Sequence, residues 1–483
     1  MKPARLSREL AGADLGDPRR SRRLVQVAER MAQAPERSLS AACGGWNESV
    51  AAYRLLAAPQ VTPEKILAPH RQALQERAAA HACLAVIQDT TELDFTAMRH
   101  MQGTGSLNDD ARRGLFLHSL YAVSASGLPL GLWALHFHQR APKTVRAAAG
   151  SRKDRPLEER ESHRWLAGYR ETQALAAALP HCEVFSLADR EGDLYDVFAA
   201  WAESSQSGGP VAQWLLRGKQ DRALEGLEEG APDKLFAALA AGPQLGEIRF
   251  AMPAAVQYRK AKNGSGSRVQ TERSARTVVQ EVRAMAVTPR PPFRRGGRLP
   301  AVRVWALWAC ELNPPEGEAP ICWLLLTSVP VTTLATAQRL IALYLRRWDI
   351  EVYHRVLKTG CRVEHLQLKG AGAVRNALSI YAVTAWRILY LTHLGRVCPQ
   401  DPCSLVFTEA EWKAASAVAR RQRKEPPLRD PPEPALGEFI LTVARFGGYL
   451  GRKRDGPPGA QVLWQGLARL RDFACAWHAL HGG

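Results

Sequence analysis

Two short apolar runs in this chain each stop at an aspartate. Leu84-Ala85-Val86-Ile87 runs into Gln88-Asp89-Thr90-Thr91, and Glu183-Val184-Phe185-Ser186-Leu187-Ala188 runs into Asp189. Apolar runs of about four to eight residues bounded by polar ones read as buried strands. If such strands are neighbours in one sheet, the residues that follow them emerge together at its edge, where open α/β sheets build their sites. Asp89 and Asp189 are therefore candidate partners at strand ends.

The rest of the chain supplies elements of both kinds. Residues 117–137 read as a hairpin around Ser126-Gly127, and helical periodicity follows over 156–179. Gln213–Arg217 is another strand. Residues 247–312 alternate β-prone segments with turns, among them Asn263-Gly264-Ser265-Gly266, and read as a β-rich insertion. The apolar run Cys322–Thr327 leads into a long helix from about Thr333 to Thr359-Gly360. Ahead of all this, Asp17 is placed to cap a helix with Pro18 at its first position, a second helix runs near 48–56, and Thr62-Pro63-Glu64 opens a third. From about Gly370 the chain is helical again, apart from a Pro-rich charged linker at about 420–434. The expected organisation is an α/β chain with a helical domain over 1–70, a central domain over 71–370 with its insertion at about 220–320, and a helical domain over 371–483. No internal repeat is visible.

Composition limits the partners. Lys and Arg number 65 against 47 Asp and Glu, a formal charge of +18, which favours polyanions, and nucleic acid above all. The longest apolar stretch, 377–391, contains Arg387 and falls short of the roughly 20 residues that cross a bilayer, so no membrane association is expected. The charged start, with Lys2 and Arg5, argues against a secretory signal and makes the cytoplasm the expected compartment. Nine cysteines without a CxxC pair argue against structural zinc and a disulfide framework. His136 and His138 share a strand face and could be ligands, although polar side chains in a strand are the favoured explanation. Arg19, Arg20, Arg22 and Arg23 crowd the first turns of the Asp17-capped helix, where positive charge opposes the helix dipole. Phosphate would compensate them; so would a solvated basic face.

In the long helix, Tyr344, Arg347, Glu351 and Lys358 fall within an arc of roughly 60° at about 100° per residue. Apolar positions flank this stripe, Ile341, Leu345, Trp348 and Val352 on one side and Leu343, Ile350 and Leu357 on the other. A carboxylate buried there needs a cation, either Arg347 one turn away or a metal. Together, Asp89, Asp189 and Glu351 would form an all-oxygen site suited to Mg²⁺, and a pair of such ions serves phosphoryl transfer. Arg347 and Lys358 would bind the phosphodiester, and Tyr344 would donate to it.

Asp89-Thr90-Thr91, Asp189-Arg190-Glu191-Gly192-Asp193 and Tyr344-x2-Arg347-x3-Glu351-x6-Lys358 together resemble the DDE transposases of the insertion-sequence-four family, in particular the transposon-five type. The similarity begins at Leu15-Gly16-Asp17-Pro18-Arg19-Arg20. It continues through Asn313-Pro314-Pro315, Trp323-Leu324-Leu325-Leu326-Thr327-Ser328 and Lys358-Thr359-Gly360 to Ala444-Arg445-Phe446-Gly447-Gly448. This resemblance implies an RNase H-like catalytic core carrying the β-rich insertion, with an N-terminal helical DNA-binding domain and a C-terminal helical domain for dimerisation. It implies that Asp89, Asp189 and Glu351 hold two Mg²⁺, or Mn²⁺ in their place, while Tyr344, Arg347 and Lys358 grip the DNA end. Nicking, hairpin formation, hairpin opening and strand transfer would follow at one site. It further implies that Trp323 stacks a flipped base, that Arg20 and Arg23 contact the terminal repeat, and that Arg217 and Lys219 lie beside the active site. The implied partners are double-stranded DNA with terminal inverted repeats, target DNA and a second copy in the synaptic complex, in a bacterial, nucleoid-associated setting. The final helix, with Leu463, Leu467, Leu470 and Ala474 on one face, would supply the dimer contact or pack within its own domain. Two other readings stand beside this one: a metal-dependent nuclease that joins nothing, and a non-catalytic DNA-binding descendant.

Overall fold

The computed structural model describes residues 6–141, 160–226, 230–260, 268–294, 297–426, 428, 431–452 and 455–481. They form a mixed α/β chain with an N-terminal helical region, a central mixed sheet and a C-terminal helical region. The chain divides into two compact units, Met1–Phe185 with Arg346–Gly483, and Ser186–Leu345.

The first unit opens with helices α1 (Leu6–Leu10), α2 (Pro18–Gln33), α3 (Leu39–Cys43), α4 (Trp46–Ala57) and α5 (Pro63–Ala78). Asp17 caps α2 by accepting from Arg19 N at 2.8 Å, and Thr62 caps α5 by accepting from Lys65 N. The five-residue α1 and α3 escape sequence periodicity because less than two turns shows no repeat. Yet α1 supplies a buried charge. Glu9, 3% exposed, accepts from His70 Nδ1 and Arg77 Nη1, both at 2.6 Å. His70 Nε2 in turn accepts from Leu132 N at 2.9 Å, so the ring is neutral with its proton on Nδ1. Burial alone would raise the Glu9 carboxyl, but His70 and Arg77 outweigh it and hold the group below its ordinary value. Arg77 also donates to Leu130 O at 2.7 Å and lies over the Trp386 ring.

The strands β1 (Cys83–Asp94), β2 (Gly105–Ser106), β3 (Arg113–Ser124) and β4 (Pro129–His138) form an antiparallel set in which β3 pairs with the other three. The predicted hairpin is present, with Gly127 at φ +90° in its turn, a backbone that favours glycine. The expectation that β1 ends at Asp89 is corrected. The strand runs on to Asp94, because the β-branched Thr90 and Thr91 keep pairing with His118 and Leu117; what stops near Asp89 is full burial. One face of this ladder receives the helix His163–Ala178. There Gly168 leaves room for Gln88, whose Oε1 a Cβ would approach to 2.1 Å. The predicted helix start at 156–159 lies outside the described residues, and residues 160–162 are not helical.

The helix Ala371–Val397 forms the core of this unit, packed against α4, α5, β4 and the helix Leu436–Phe446. Its Asn376 donates to Leu56 O and Val61 O at 2.9 and 2.8 Å, satisfying a carbonyl that the end of α4 leaves open and one in the connection to α5. The final helix, Ala460–His481, buries Leu463, Leu470 and Ala474 within this chain, against the helices Glu409–Gln422 and Leu436–Phe446.

The strand β5 (Glu183–Ala188) carries the chain into the second unit. That unit contains β6 (Gln213–Arg217), β7 (Gln244–Met252), β8 (Ala255–Lys260), β9 (Arg268–Arg273), β10 (Arg276–Val287), β11 (Phe293–Arg294), β12 (Gly297–Arg298), β13 (Val304–Glu311) and β14 (Cys322–Thr327). An antiparallel run β6-β14-β13-β10-β7 is its backbone, and β8-β9 and β11-β12 are separate two-stranded ladders. Against expectation, two cysteines are bonded: Cys310 and Cys322 face each other in the β13–β14 register and form a disulfide. Strand pairing alone brings them together, so no local spacing announces the bond. The Asn263-Gly264-Ser265-Gly266 turn lies outside the described residues.

Burial lowers His393 to about 4, with Arg396 and Arg346 adding repulsion, and lowers His354 to about 3, with Lys358 adding to it. The unfolded chain binds these protons first, near pH 6.5, so stability is complete above that pH and is lost as the pH falls toward 4. Each residue should contribute a slope of about 1 kcal/mol per pH unit there. Urea unfolding between pH 7 and 4 should show this loss, and His393→Gln should flatten it.

Candidate active site and nucleic-acid interface

Asp89 lies opposite Ser119 in the β1–β3 ladder, and directly opposed residues point to the same side of a sheet. Thr90 lies opposite His118, on the other side. Contacts identify the two sides. His118 meets Trp165 of the helix His163–Ala178 edge-on at 4.9 Å, while Tyr121, two residues from Ser119, stacks on Tyr353 at 4.9 Å. Asp89 therefore projects from the side on which the helix Trp348–Arg355, which carries Glu351, is seated. Thr90 N donates to Asp89 Oδ1 at 2.7 Å.

The single long helix expected from Thr333 to Gly360 is corrected. It is divided into Leu334–Leu345 and Trp348–Arg355, followed by a π-helical turn Val356–Gly360. The break falls at Arg346-Arg347, where Asp349 N bonds to Arg346 O one turn back. The widened last turn closes through Cys361 N to Val356 O. The four-residue stripe is consequently not one face of one helix. Tyr344 belongs to the second unit, and Arg347, Glu351 and Lys358 to the first. Within the first unit Arg347 pairs with Glu351 one turn on, the internal ion pair that the spacing allows. Lys358 donates to Glu92 O at 2.8 Å and pairs with Glu364 at 3.2 Å. Glu364 also accepts from Asp94 N at 2.9 Å, which fastens this turn to the far end of β1.

In the second unit, Asp189 caps the short turn Arg190–Gly192, accepting from Glu191 N at 2.8 Å. Asp193, 3% exposed, accepts from Lys219 N at 2.8 Å, Gln220 N at 3.3 Å and the Arg222 guanidinium. Its role is to shape the loop that presents the exposed Lys219 side chain, and its position in a run of acids gave no hint of it. Arg217 lies 5.7 Å from the Trp323 ring, and Trp323 meets Tyr344 edge-on at 6.3 Å. Three of the predicted DNA-binding residues thus form one cluster. Arg217 also donates to Cys322 O at 3.4 Å.

Arg20 and Arg23 line a cleft of about 670 Å³ between α2 and α4. Arg20 also donates to Leu15 O at 2.7 Å. The opposite wall holds Trp46, 82% exposed, with Val50 and Arg54 one and two turns on. Sequence reasoning passed over Trp46 and Arg54, although their i, i+4, i+8 spacing with Val50 marks a common face. An exposed indole among arginines suits stacking and phosphate contact. By contrast, burial lowers both His136 and His138, and among the described residues no group of three or more His, Cys, Asp or Glu is placed to hold a metal ion. No helix among them is long and apolar enough to cross a membrane.

A basic cleft with an exposed aromatic, and carboxylates set beside cationic side chains, are features suited to contact with nucleic acid. Three family models match the chain: Transposase DNA-binding over residues 4–61, Transposase DDE domain over 211–386 and Transposase Tn5 dimerisation domain over 383–478. Together they support a Tn5-like DDE transposase, and the first and last of them suggest DNA binding and dimer formation. The DDE match implies an RNase H-like core and, as is general for such domains, the use of divalent metal. It takes in Arg217, Lys219, Trp323, Tyr344, Arg347, Glu351 and Lys358, while Asp89 and Asp189 precede it.

Asp193→Ala should leave Arg222 buried without its acid and release the 219–222 loop, costing about 3–5 kcal/mol. Urea unfolding would measure the loss; a change below about 1 kcal/mol would contradict this role for Asp193.

Proposed function

We propose that this chain is a cut-and-paste transposase of the insertion-sequence-four family, acting at terminal inverted repeats through Asp89, Asp189 and Glu351. The observation that carries this reading is that Asp89 projects from the sheet face on which the Glu351 helix sits, in a chain matching a DDE domain. The chemistry of these side chains suits such an ion. Three carboxylates offer hard oxygen ligands, which Mg²⁺ prefers and Mn²⁺ accepts. Bound metal would supply charge neutralisation and Lewis acidity to the phosphodiester. The ion pair with Arg347 meets the need of Glu351 for a cation in the free protein, and the same guanidinium is suited to bidentate contact with phosphate. Lys358 and Lys219 add point charges, and Tyr344 lies beside Trp323 where a DNA end would be held.

Nicking, hairpin formation, hairpin opening and strand transfer into target DNA would follow in sequence. Trp323 distinguishes this course from plain metal-dependent hydrolysis. Its half-buried indole, with Arg217 near its face, suits the stacking of a base drawn out of the duplex, which relieves the strain of a tight hairpin. Arg20 and Arg23, with Trp46 across the cleft, would contact the terminal repeat, and the C-terminal helices would form the dimer.

Alanine at Asp89, Asp189 or Glu351 should abolish Mg²⁺-dependent cleavage of DNA carrying the repeats that flank the gene, while gel-shift binding persists. Cleavage surviving any one of the three would overturn the assignment. Trp323→Ala should impair hairpin formation more than first-strand nicking, and equal loss of both steps on a denaturing gel would remove the base-stacking role. Binding should weaken steeply between 50 and 200 mM salt, by about 10³-fold or more if six phosphates are contacted.

A further inference from the structure

Glu351 and His354 are one turn apart on the helix Trp348–Arg355, and His354 is buried, 6% exposed. Its Nε2 lies 3.2 Å from Ser119 Oγ, and Ser119 is fully buried. Ser119 is the residue opposite Asp89 in the β1–β3 ladder. One hydrogen bond therefore joins the helix that carries one acid to the strand position facing the other. The stacking of Tyr353 on Tyr121 holds the same helix at a second point on β3, two residues along. Stacked rings resist separation of the surfaces but permit sliding, whereas a directional hydrogen bond resists rotation and translation along the strand. The Ser119–His354 bond is thus a contact able to set the height of Glu351 relative to Asp89.

We propose that His354 and Ser119 are a positioning pair for the metal site, holding Glu351 in register with Asp89. The pair touches neither substrate nor ion. The inference rests on the reading of Asp89 and Glu351 as metal ligands. Partners behind metal ligands typically change affinity by about 10- to 100-fold when removed. The effect should therefore appear in metal binding and in turnover, not in recognition of the DNA end.

The test is a Mn²⁺ titration of the full-length protein bound to repeat-end DNA, followed by the loss of the free-ion electron paramagnetic resonance signal, with cleavage rates measured in parallel. Ser119→Ala and His354→Ala are expected to weaken Mn²⁺ binding about 10-fold or more and to lower kcat with little change in KM for the DNA. The double variant should be no worse than either single one, as two groups sharing one bond require. His354→Gln should restore much of the loss, because its terminal amide reaches the position of Nε2. Ser119→Ala removes only a hydroxyl, so it reports on the bond even if His354→Ala fails to fold. Asp89→Ala and Glu351→Ala are run beside them. If those two bind Mn²⁺ like the unaltered protein, the metal-ligand reading itself fails. If they lose binding while Ser119→Ala retains full affinity, the positioning pair is refuted and the reading stands. Additive losses in the double variant, or failure of glutamine to rescue a folded protein, would likewise overturn the inference.

Discussion

The register of β1 against β3 is the constraint on which the candidate site depends. A slip of one residue would turn Asp89 to the opposite side of the sheet and bury it against the helix His163–Ala178. The register is secured on both sides. On one, His118 bonds Thr90 Oγ1 at 2.9 Å and Gln88 Oε1 at 3.2 Å, gripping the residues that flank Asp89. On the other, Ser119 meets His354. Burial drives His118 and His354 well below their ordinary pKa, so both remain neutral and bring no charge next to a carboxylate. Neutral, directional groups are what a strand carrying an acid can tolerate in its interior.

Charge is arranged on the same principle. Glu9, Asp193 and Glu311 are nearly fully buried, and each is matched by an arginine, Arg77, Arg222 and Arg276. Such pairs contribute little net stability, but breaking one is costly, so they specify where α1, the 219–222 loop and the end of β13 must lie. Glu351 differs because it is paired yet partly open to solvent. An exchange of cations there carries a smaller desolvation cost than at Glu9. With the structural acids neutralised internally, much of the excess of positive charge is left for the surface, where Arg19, Arg23 and Lys219 are exposed.

Much of this was legible in the sequence because it is local. The Asp17 and Thr62 caps, the turn at Gly127 and the strands β5, β6 and β14 follow from a few adjacent residues. What was not legible depends on pairing across the chain. The continuation of β1 past Asp89 is imposed by β3, since Thr90, Thr91 and Glu92 alone read as the end of an apolar run. The disulfide between Cys310 and Cys322, the buried Glu9 and the Ser119–His354 bond likewise join residues that no local spacing relates. Asp193 and Asp189 look alike in sequence, and only the backbone amides around Asp193 separate a structural acid from a candidate ligand.

The interrupted helix shows why a spacing can be informative while its simplest geometric reading is wrong. Uniform rotation from Tyr344 to Lys358 would require an unbroken α-helix, and the ladder is broken at Arg346-Arg347 and widened at Val356–Gly360. Tyr344 is thereby grouped with Trp323 and Arg217, whereas Arg347 stays within one turn of Glu351. The wide turn delivers Lys358 to Glu92 O and Glu364, at the end of the strand that carries Asp89. A π turn inserts an extra residue and so changes the direction of every side chain that follows it. Straightening it would swing Lys358 away from β1 while leaving Glu351 in place. The spacing from Glu351 to Lys358 therefore encodes reach from a helix to a strand end, which is a stricter requirement than a shared helical face.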